Sequence, residues 1–187
     1  MLLTLTWFLF AGRPASLEAL PVLREVAAAI CCEAARPEPG DLVVTEIMAD
    51  PQRVPDAQGE YFAVRNVTRT ILDLDRVVVH DRAKDGFVLR DIRLLPGATL
   101  RLGRSTDPNA NGGVIVDATY SRFQLGNRDD AIILESGGVV IDEVTFDARQ
   151  GWPVSPGRLM LLDPALPDDV LNDDPASWQS AKLWPEP

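Results

Sequence analysis

Hydrophobic and polar positions alternate with a period of two over much of the chain after residue 40. Leu72 and Leu74 alternate with aspartates, and Leu100 and Leu102 alternate with polar residues. This period is typical of antiparallel strands that bury one face and expose the other. The pattern predicts strands at Leu42–Met48, Tyr61–Val67, Leu72–His80, Thr99–Gly103, Gly113–Val116, Ala131–Glu135, Val139–Phe146 and Arg158–Leu162.

Two of these predicted strands are joined by Gly137-Gly138. A two-residue glycine loop supplies the positive φ angles of a primed turn, so the segment from Ile132 to Asp142 predicts a β-hairpin. About eight short strands in about 145 residues fit an immunoglobulin-like β-sandwich. The predicted fold class is therefore all-β, with an eight-stranded jelly roll as the alternative.

The first 40 residues form a short apolar and helical segment of different character. The apolar run 1–11 is too short to span a bilayer but has the length of a signal-peptide core. Because no Lys or Arg precedes it, a wrongly assigned start codon is the alternative. Ser16–Arg36 has helical spacing, and its charged residues Glu18, Arg24 and Glu25 exclude an integral membrane span.

These patterns divide the chain into three parts. Residues 1–40 hold the apolar and helical segment and a linker, residues 41–182 the β-sandwich, and residues 183–187 a C-terminal tail. The adjacent pair Cys31-Cys32 is too close for an ordinary disulfide. We interpret it as two small apolar helix residues, with a lipoprotein acceptor cysteine as the alternative.

The chain is acidic, with 18 basic against 28 acidic residues, a net charge of -10 and a pI of about 4.5. This balance argues against nucleic acids and anionic membrane surfaces as partners, because both are bound by clustered Lys and Arg. Most of the acids after residue 40 are aspartates, which favour turns and caps. We therefore interpret much of the charge as loop chemistry.

Few residues suggest catalysis. His80 is the single histidine, it lies at a predicted strand end, and no Gly-x-Ser-x-Gly motif accompanies it. Zinc motifs are missing, and the segment 109–113 lacks the Lys and the following helix of a phosphate loop, so a turn is predicted there. We predict no catalytic, cofactor-binding or metal-binding residues. With so many aspartates, a hydrolase with a carboxylate dyad remains the rival.

One acidic loop is dense in oxygen ligands of the kind that Ca²⁺ takes. Its spacing differs from an EF-hand, and turn formation before the loop's prolines explains the same residues. We prefer the turn and keep calcium as the alternative. The residues concerned are Asp163, Asp168, Asp169, Asn172, Asp173 and Asp174.

Two glutamates and three tryptophans complete the candidates. Glu46 and Glu60 lie in or beside predicted strands, where either is placed to pair with Arg65 or Arg101 across the sheet. We interpret the tryptophans as anchors of the final loop in the core, with an aromatic binding face as the alternative. They are Trp152, Trp178 and Trp184.

An ordered set of motifs in residues 41–182 resembles the lamin tail domain (LTD) family. The second of these motifs, Gly59–Asn66, is similar to a Gly-Glu-Trp/Tyr-Ile-Glu-Leu-x-Asn strand, but Ala63 replaces its second Glu. The others are Leu42–Pro51, Leu72–Leu74 with Val77–Val79, Leu95–Gly97 with Leu100–Leu102, Phe123–Asn127 with Asp130 and Ile132–Leu134, Val140–Phe146, Gly151–Pro153 and Asp173–Trp178.

The chain has no sustained heptads, so it resembles prokaryotic members of the family without a coiled-coil rod. The resemblance implies a non-catalytic module for binding or attachment to an unknown protein or cell-surface component, in the cell envelope or secreted. We expect a monomer, and a cytoplasmic protein if the apolar run is not a signal. The alternatives are the hydrolase and a purely structural spacer.

Overall fold

The computed structural model describes residues 33–83, 85–165 and 167–182, and almost all of its regular structure is strand. The short helix α1 spans Asp56–Gly59, and 3₁₀ turns lie at Ala148–Gln150, Leu171–Asp173 and Pro175–Ser177. The strands are β1 Leu42–Met48, β2 Tyr61–Asn66, β3 Leu72–Asp73, β4 Val78–His80, β5 Gly86–Val88, β6 Arg93–Leu94, β7 Thr99–Gly103, β8 Ala118–Thr119, β9 Asp129–Ser136, β10 Val139–Asp147, β11 Arg158–Leu162 and β12 Trp178–Lys182.

These strands form three sheets. The largest has the order β12-β11-β1-β2-β7-β8, the second has the order β10-β9-β4-β5, and β3 pairs with β6 alone. The pairings are antiparallel apart from β7 with β8, which is parallel. The two larger sheets bury side chains in one common core, so the predicted β-sandwich is confirmed.

Four aromatic rings form the centre of one end of this core. Phe87 and Tyr120 stack at 4.9 Å, and Phe62 and Phe123 meet edge-on with ring centroids 5.9 Å apart. Phe62 comes from the six-stranded sheet and Phe87 from the four-stranded sheet. Burying such a side chain contributes about 1.5–3 kcal/mol, so this cluster holds the two sheets together.

The strand prediction is confirmed for β1, β7 and β11 residue by residue, and for β2, β9 and β10 within two residues. The hairpin is also confirmed: Ser136 pairs with Val139, and Gly137 and Gly138 have φ angles of 60° and 87°. These positive angles are those that a primed turn requires.

Two strand predictions are wrong. Leu72–His80 is not one strand, because the chain turns at Arg76 with φ 68° and separates β3 from β4. Gly113–Val116 is not a strand either, because Asn111 holds this segment as a loop through bonds to the backbone of Gly113 and Val114. The sheet instead gains β8, two residues further on.

The predicted helix Ser16–Arg36 lies mostly outside the described residues, but its end at residues 33–36 is wrong. Ala35 is extended and forms a parallel bridge with Leu72. The apolar run 1–11, Cys31-Cys32 and the tail 183–187 also lie outside the described residues. Among the residues that are described, no helix has the length and hydropathy needed to cross a membrane.

Candidate functional site

The outward face of the four-stranded sheet carries a row of valines. Val140 of β10 and Val78 of β4 both pair with Glu135 of β9, and Val88 of β5 pairs with Val78. These residues point outward, because their neighbours Leu134 and Val79 on the same strands are buried in the core. We call Val78, Val88 and Val140 the valine row.

Two members of the valine row are well exposed. Val140 is 46% exposed and Val88 is 40% exposed, and Val139 beside the turn is 53% exposed. The solvent face of an antiparallel sheet is usually polar, so outward valines on three of the four strands at one level of the sheet are unexpected. Clustered apolar side chains on a surface often mark a place of contact with another molecule.

Charged side chains lie on the next row of the same face. The Arg82 guanidinium pairs with the Glu143 carboxylate, and His80 Nε2 lies 3.6 Å from Glu135 Oε2. Beneath them, Ile133 is only 6% exposed, so these long side chains cover it. His80 is therefore half-buried at the end of β4 and is held on its other side by the Asp81 carbonyl, 2.7 Å from Nδ1.

Beyond this charged row lies an open groove with a volume of about 390 Å³. Its floor includes Ala131 and Thr145, and its walls come from the β4–β5 loop and from the end of β10. Four aspartates line it, whereas two smaller pockets on the described surface are each lined by two acidic residues. We call this the acidic groove; its aspartates are Asp81, Asp129, Asp130 and Asp147.

Two of the groove aspartates hold loops. Asp81 Oδ1 accepts hydrogen bonds from the backbone N–H groups of residues 83 and 85, at 2.7 and 3.1 Å. Asp130 accepts from the N–H of Gly126 through one oxygen and from the N–H of Ala131 through the other, both at 2.7 Å. Burial raises the pKa of Asp130, and these two hydrogen bonds oppose the rise.

The other two groove aspartates lie beside Arg149. Its guanidinium bonds both oxygens of Asp147, at 3.0 Å for the closest pair, and these bonds lower the pKa of Asp147 to about 2. Asp129 is 3.7 Å from the same guanidinium and is 58% exposed. A hydrolytic dyad needs two carboxyl groups free to face a substrate, whereas three of these four are already bound by the protein.

The acidic loop that suggested calcium forms turns. Asp163, Asp168 and Asp174 each accept a hydrogen bond from the backbone N–H two residues further on, at 2.9 Å. These are the Asx turns that the preferred interpretation requires. Asn172 points inward to the core. Within residues 33–83, 85–165 and 167–182, no three His, Cys, Asp or Glu side chains are arranged to hold a metal ion.

Glu46 pairs with Arg101, as one of the two expected partners. Two hydrogen bonds of 2.8 and 2.9 Å join the guanidinium to the carboxylate, and the Glu46 side chain is only 12% exposed. The Glu46 carboxylate raises the pKa of Arg101. Ala63 lies opposite both residues on β2, and its small side chain leaves room for this bridge over the strand between them.

The expected pairing of Glu60 with Arg65 or Arg101 is wrong. Glu60 is 1% exposed, its Oε2 is 3.4 Å from the N–H of Leu125, and its Oε1 is buried with no hydrogen-bond partner. Burial raises its pKa to about 7. Sequence reasoning missed this because Glu60 precedes β2 and turns into the core instead of standing on the sheet face.

Trp152 and Trp178 are buried and contact each other with ring centroids 5.7 Å apart, as core anchoring predicts. Trp184 lies outside the described residues. The segment 109–113 is a turn, in which the Asn111 side chain bonds the backbone of Ser105 at 2.9 Å and of Val114. These residues therefore support the fold and leave the outward face of the four-stranded sheet as the candidate site.

A buried polar network joins the two sheets and was not expected from the sequence. Asp142 is 3% exposed and accepts hydrogen bonds from the Val44 N–H at 2.7 Å and from Asn172 Nδ2 at 2.9 Å. The Trp178 indole N–H donates to the Asn172 carbonyl at 2.8 Å. Burial raises the pKa of Asp142 to about 7. Asp142 is in phase with the buried Val144 and Phe146, and the bulge between Val140 and Asp142 lets Ile141 and Asp142 both face the core.

The two larger sheets pack around one common core, and this arrangement defines an immunoglobulin-like β-sandwich. The family model described as Lamin Tail Domain matches residues 35–148, which is more than half of the chain. The chain therefore belongs to the lamin tail domain family. The match includes β1 to β10, while β11 and β12 follow it. Searches of curated proteins and of solved structures gave no significant match.

Proposed function

We propose that this protein is a non-catalytic binding or attachment module of the cell envelope or of the secreted fraction. The observation that carries the proposal is the state of the groove carboxylates. Asp81 and Asp130 are held by backbone N–H groups and Asp147 by Arg149. Carboxylates that hold loops in place are poorly suited as proton acceptors toward a substrate, because protonating them would weaken the hydrogen bonds that hold those loops.

The shape of the surface supports the same function. A catalytic site usually excludes water in a closed cleft, whereas the acidic groove is open and adjoins the outward face of the four-stranded sheet. A sheet face with exposed apolar side chains is better suited to a macromolecular surface than to a small substrate. The hydrolase is therefore the weaker alternative, and a purely structural spacer would have no need of this face.

Location is tested first. The full chain is expressed in its native host with a C-terminal tag, the cells are fractionated, and the N-terminal residue of the mature protein is determined. We expect the protein in the envelope or medium, with residues of the apolar run removed. Intact Met1 in the cytosol would contradict the proposed location.

Binding and catalysis are tested on the same purified full chain. It is crosslinked in intact cells, and we expect one or a few partners recovered in saturable amounts. The chain is also assayed for hydrolysis of glycosides, esters and phosphoesters, with Asp129→Asn as the comparison, because the Asp129 side chain holds no loop. Turnover that Asp129→Asn removes would establish the hydrolase instead. If neither partners nor turnover are found, the spacer remains.

A further inference from the structure

The outward face of the four-stranded sheet combines two surfaces that lie next to each other. At one end is the valine row, and at the other is the acidic groove, with the His80–Glu135 and Arg82–Glu143 pairs between them. All four strands contribute to the face, so its shape is fixed by the backbone pairing of β10, β9, β4 and β5. It is therefore a preformed surface, which reduces the entropy lost on binding.

We propose that this face is a docking surface for a partner protein that presents apolar side chains beside a cluster of Lys or Arg. This inference rests on the proposed binding function and names the surface and the chemistry of the partner. The valine row would contact the apolar side chains, and the acidic groove would receive the basic ones.

The charge of this face determines the sign of the charge that a partner must carry. The described residues of the face carry more carboxylates than guanidinium groups, and the whole chain has a net charge of -10. The carboxylates are those of Asp81, Asp129, Asp130, Glu135, Glu143 and Asp147, and the guanidinium groups are those of Arg82 and Arg149. A basic partner is attracted to such a surface and associates with it faster at low ionic strength.

The same charge argues against a second copy of this chain on the face. In a two-fold contact that places the valine rows together with the symmetry axis along the strands, the acidic groove of one copy would lie close to that of the other. Like charges brought together in this way cost several kcal/mol. The valine row alone is too small to offset this cost, because stable interfaces bury about 800 Å² on each partner.

Substitutions can separate the two surfaces without unfolding the protein. Val78→Thr and Val88→Thr change only an outward methyl group into a hydroxyl on strands where threonine is well accepted. Asp129→Asn removes a charge from a 58% exposed side chain that holds no loop. Asp81, Asp130 and Asp147 are not used, because each holds local structure.

The test measures binding of a defined probe to the full chain by fluorescence anisotropy. The probe is a labelled twelve-residue peptide, designed with valines on one face and lysines on the other. In the control peptide every lysine is replaced by glutamate. We expect the lysine probe to bind, the glutamate probe not to bind, and the affinity to fall at least tenfold between low and physiological salt.

The variants then locate the site. We expect Val78→Thr/Val88→Thr to weaken binding about tenfold, and Asp129→Asn to weaken it about threefold and reduce the salt dependence. The controls are Ile115→Thr, an apolar residue 76% exposed on the loop after β7, and Glu38→Gln, an exposed acid before β1. Both should bind as the unchanged protein does.

Three results would overturn the docking surface: no binding of the lysine probe, equal effects of the face and control variants, or a dimer in sedimentation that Val88→Thr dissociates. None of these removes the binding function itself. If crosslinking in cells recovers a partner in saturable amounts, and the variants of this face still recover the same partner, the module binds through another surface. If no partner is recovered at all, the proposed function fails.

Discussion

The buried carboxyl of Glu60 makes the stability of this protein depend on pH in a way that can be isolated. Glu60 is 1% exposed, and its Oε1 has no hydrogen-bond partner. Burial raises its pKa from 4.5 to about 7, and the nearby carboxylates of Asp56 and Asp130 add to the rise. The Leu125 N–H and the Arg104 guanidinium oppose it without cancelling it.

The direction of the effect follows from proton binding. The folded protein holds the Glu60 proton more tightly than the unfolded chain does, so its contribution to stability is complete below about pH 4.5 and is lost as the pH rises through about 7. A rise of this size in the pKa corresponds to about 3 kcal/mol in total. Between pH 5 and pH 8 we expect a loss of about 2 to 3 kcal/mol from this group.

Glu60→Gln removes the titration and keeps the size of the side chain. The free energy of unfolding is measured by urea denaturation of the unchanged protein and the variant from pH 5 to pH 8. Relative to the unchanged protein, the variant should gain about 2 to 3 kcal/mol over this range, whatever its offset at pH 5. Other titrating groups, such as Asp142, are present in both proteins and cancel in the difference.

Glu38→Gln is the matched control, because the Glu38 side chain is exposed before β1. Its curve should run parallel to that of the unchanged protein. If the Glu60→Gln curve also runs parallel, to within about 0.5 kcal/mol, the reasoning from burial is refuted. The most direct explanation would then be a hydrogen-bond partner for Glu60 in solution, such as a water bridging it to the equally unpartnered Tyr120 hydroxyl.

Three further substitutions test the fold. Asp142→Ala leaves the Val44 N–H and the Asn172 amide without their acceptor in the core, so urea denaturation should show a loss of about 2–4 kcal/mol. Trp178→Phe keeps most of the ring packing but removes the indole hydrogen bond, and should cost about 1–2 kcal/mol in the same assay. Gly138→Ala meets no neighbouring atom but strains a φ of 87°, so the melting temperature should fall by a few degrees, as expected for about 1 kcal/mol.

The local pattern was sufficient for the strands whose side chains alternate between core and solvent. β7 and β11 were predicted residue by residue, and the glycine pair fixed the β9–β10 hairpin. The pattern failed between residues 72 and 80, since the alternation of Leu72 and Leu74 breaks at Arg76, where the chain turns, and the valines that follow were joined to the same predicted strand. β12 was missed because its residues Trp178–Lys182 show no regular alternation of apolar and polar side chains. Its strand conformation depends on the backbone pairing with β11.

The number and spacing of the strands predicted two facing sheets, and the resemblance to a family indicated the kind of module. Neither supplied the polar groups that this chain buries. Asp142 has the same parity as the buried Val144 and Phe146, so period two places it inward, but the sequence does not show that its partner is the Val44 N–H of the other sheet. The bulge between Val140 and Asp142 shifts the register by one residue, so Val140 faces solvent although it has the parity of the inward residues.

The exposure of the valine row also follows from how the strands pair. The sequence shows Val78, Val88 and Val140 in three separate segments, each of which would be taken as part of a buried strand. Their exposure follows from two facts of pairing: β9 lies between β4 and β10, and Leu134 occupies the inward position beside Glu135. Hydrophobic residues at outward positions contribute nothing to the core of this sandwich. Their concentration on one face, next to the acidic groove, is explained by contact with a second molecule more simply than by folding.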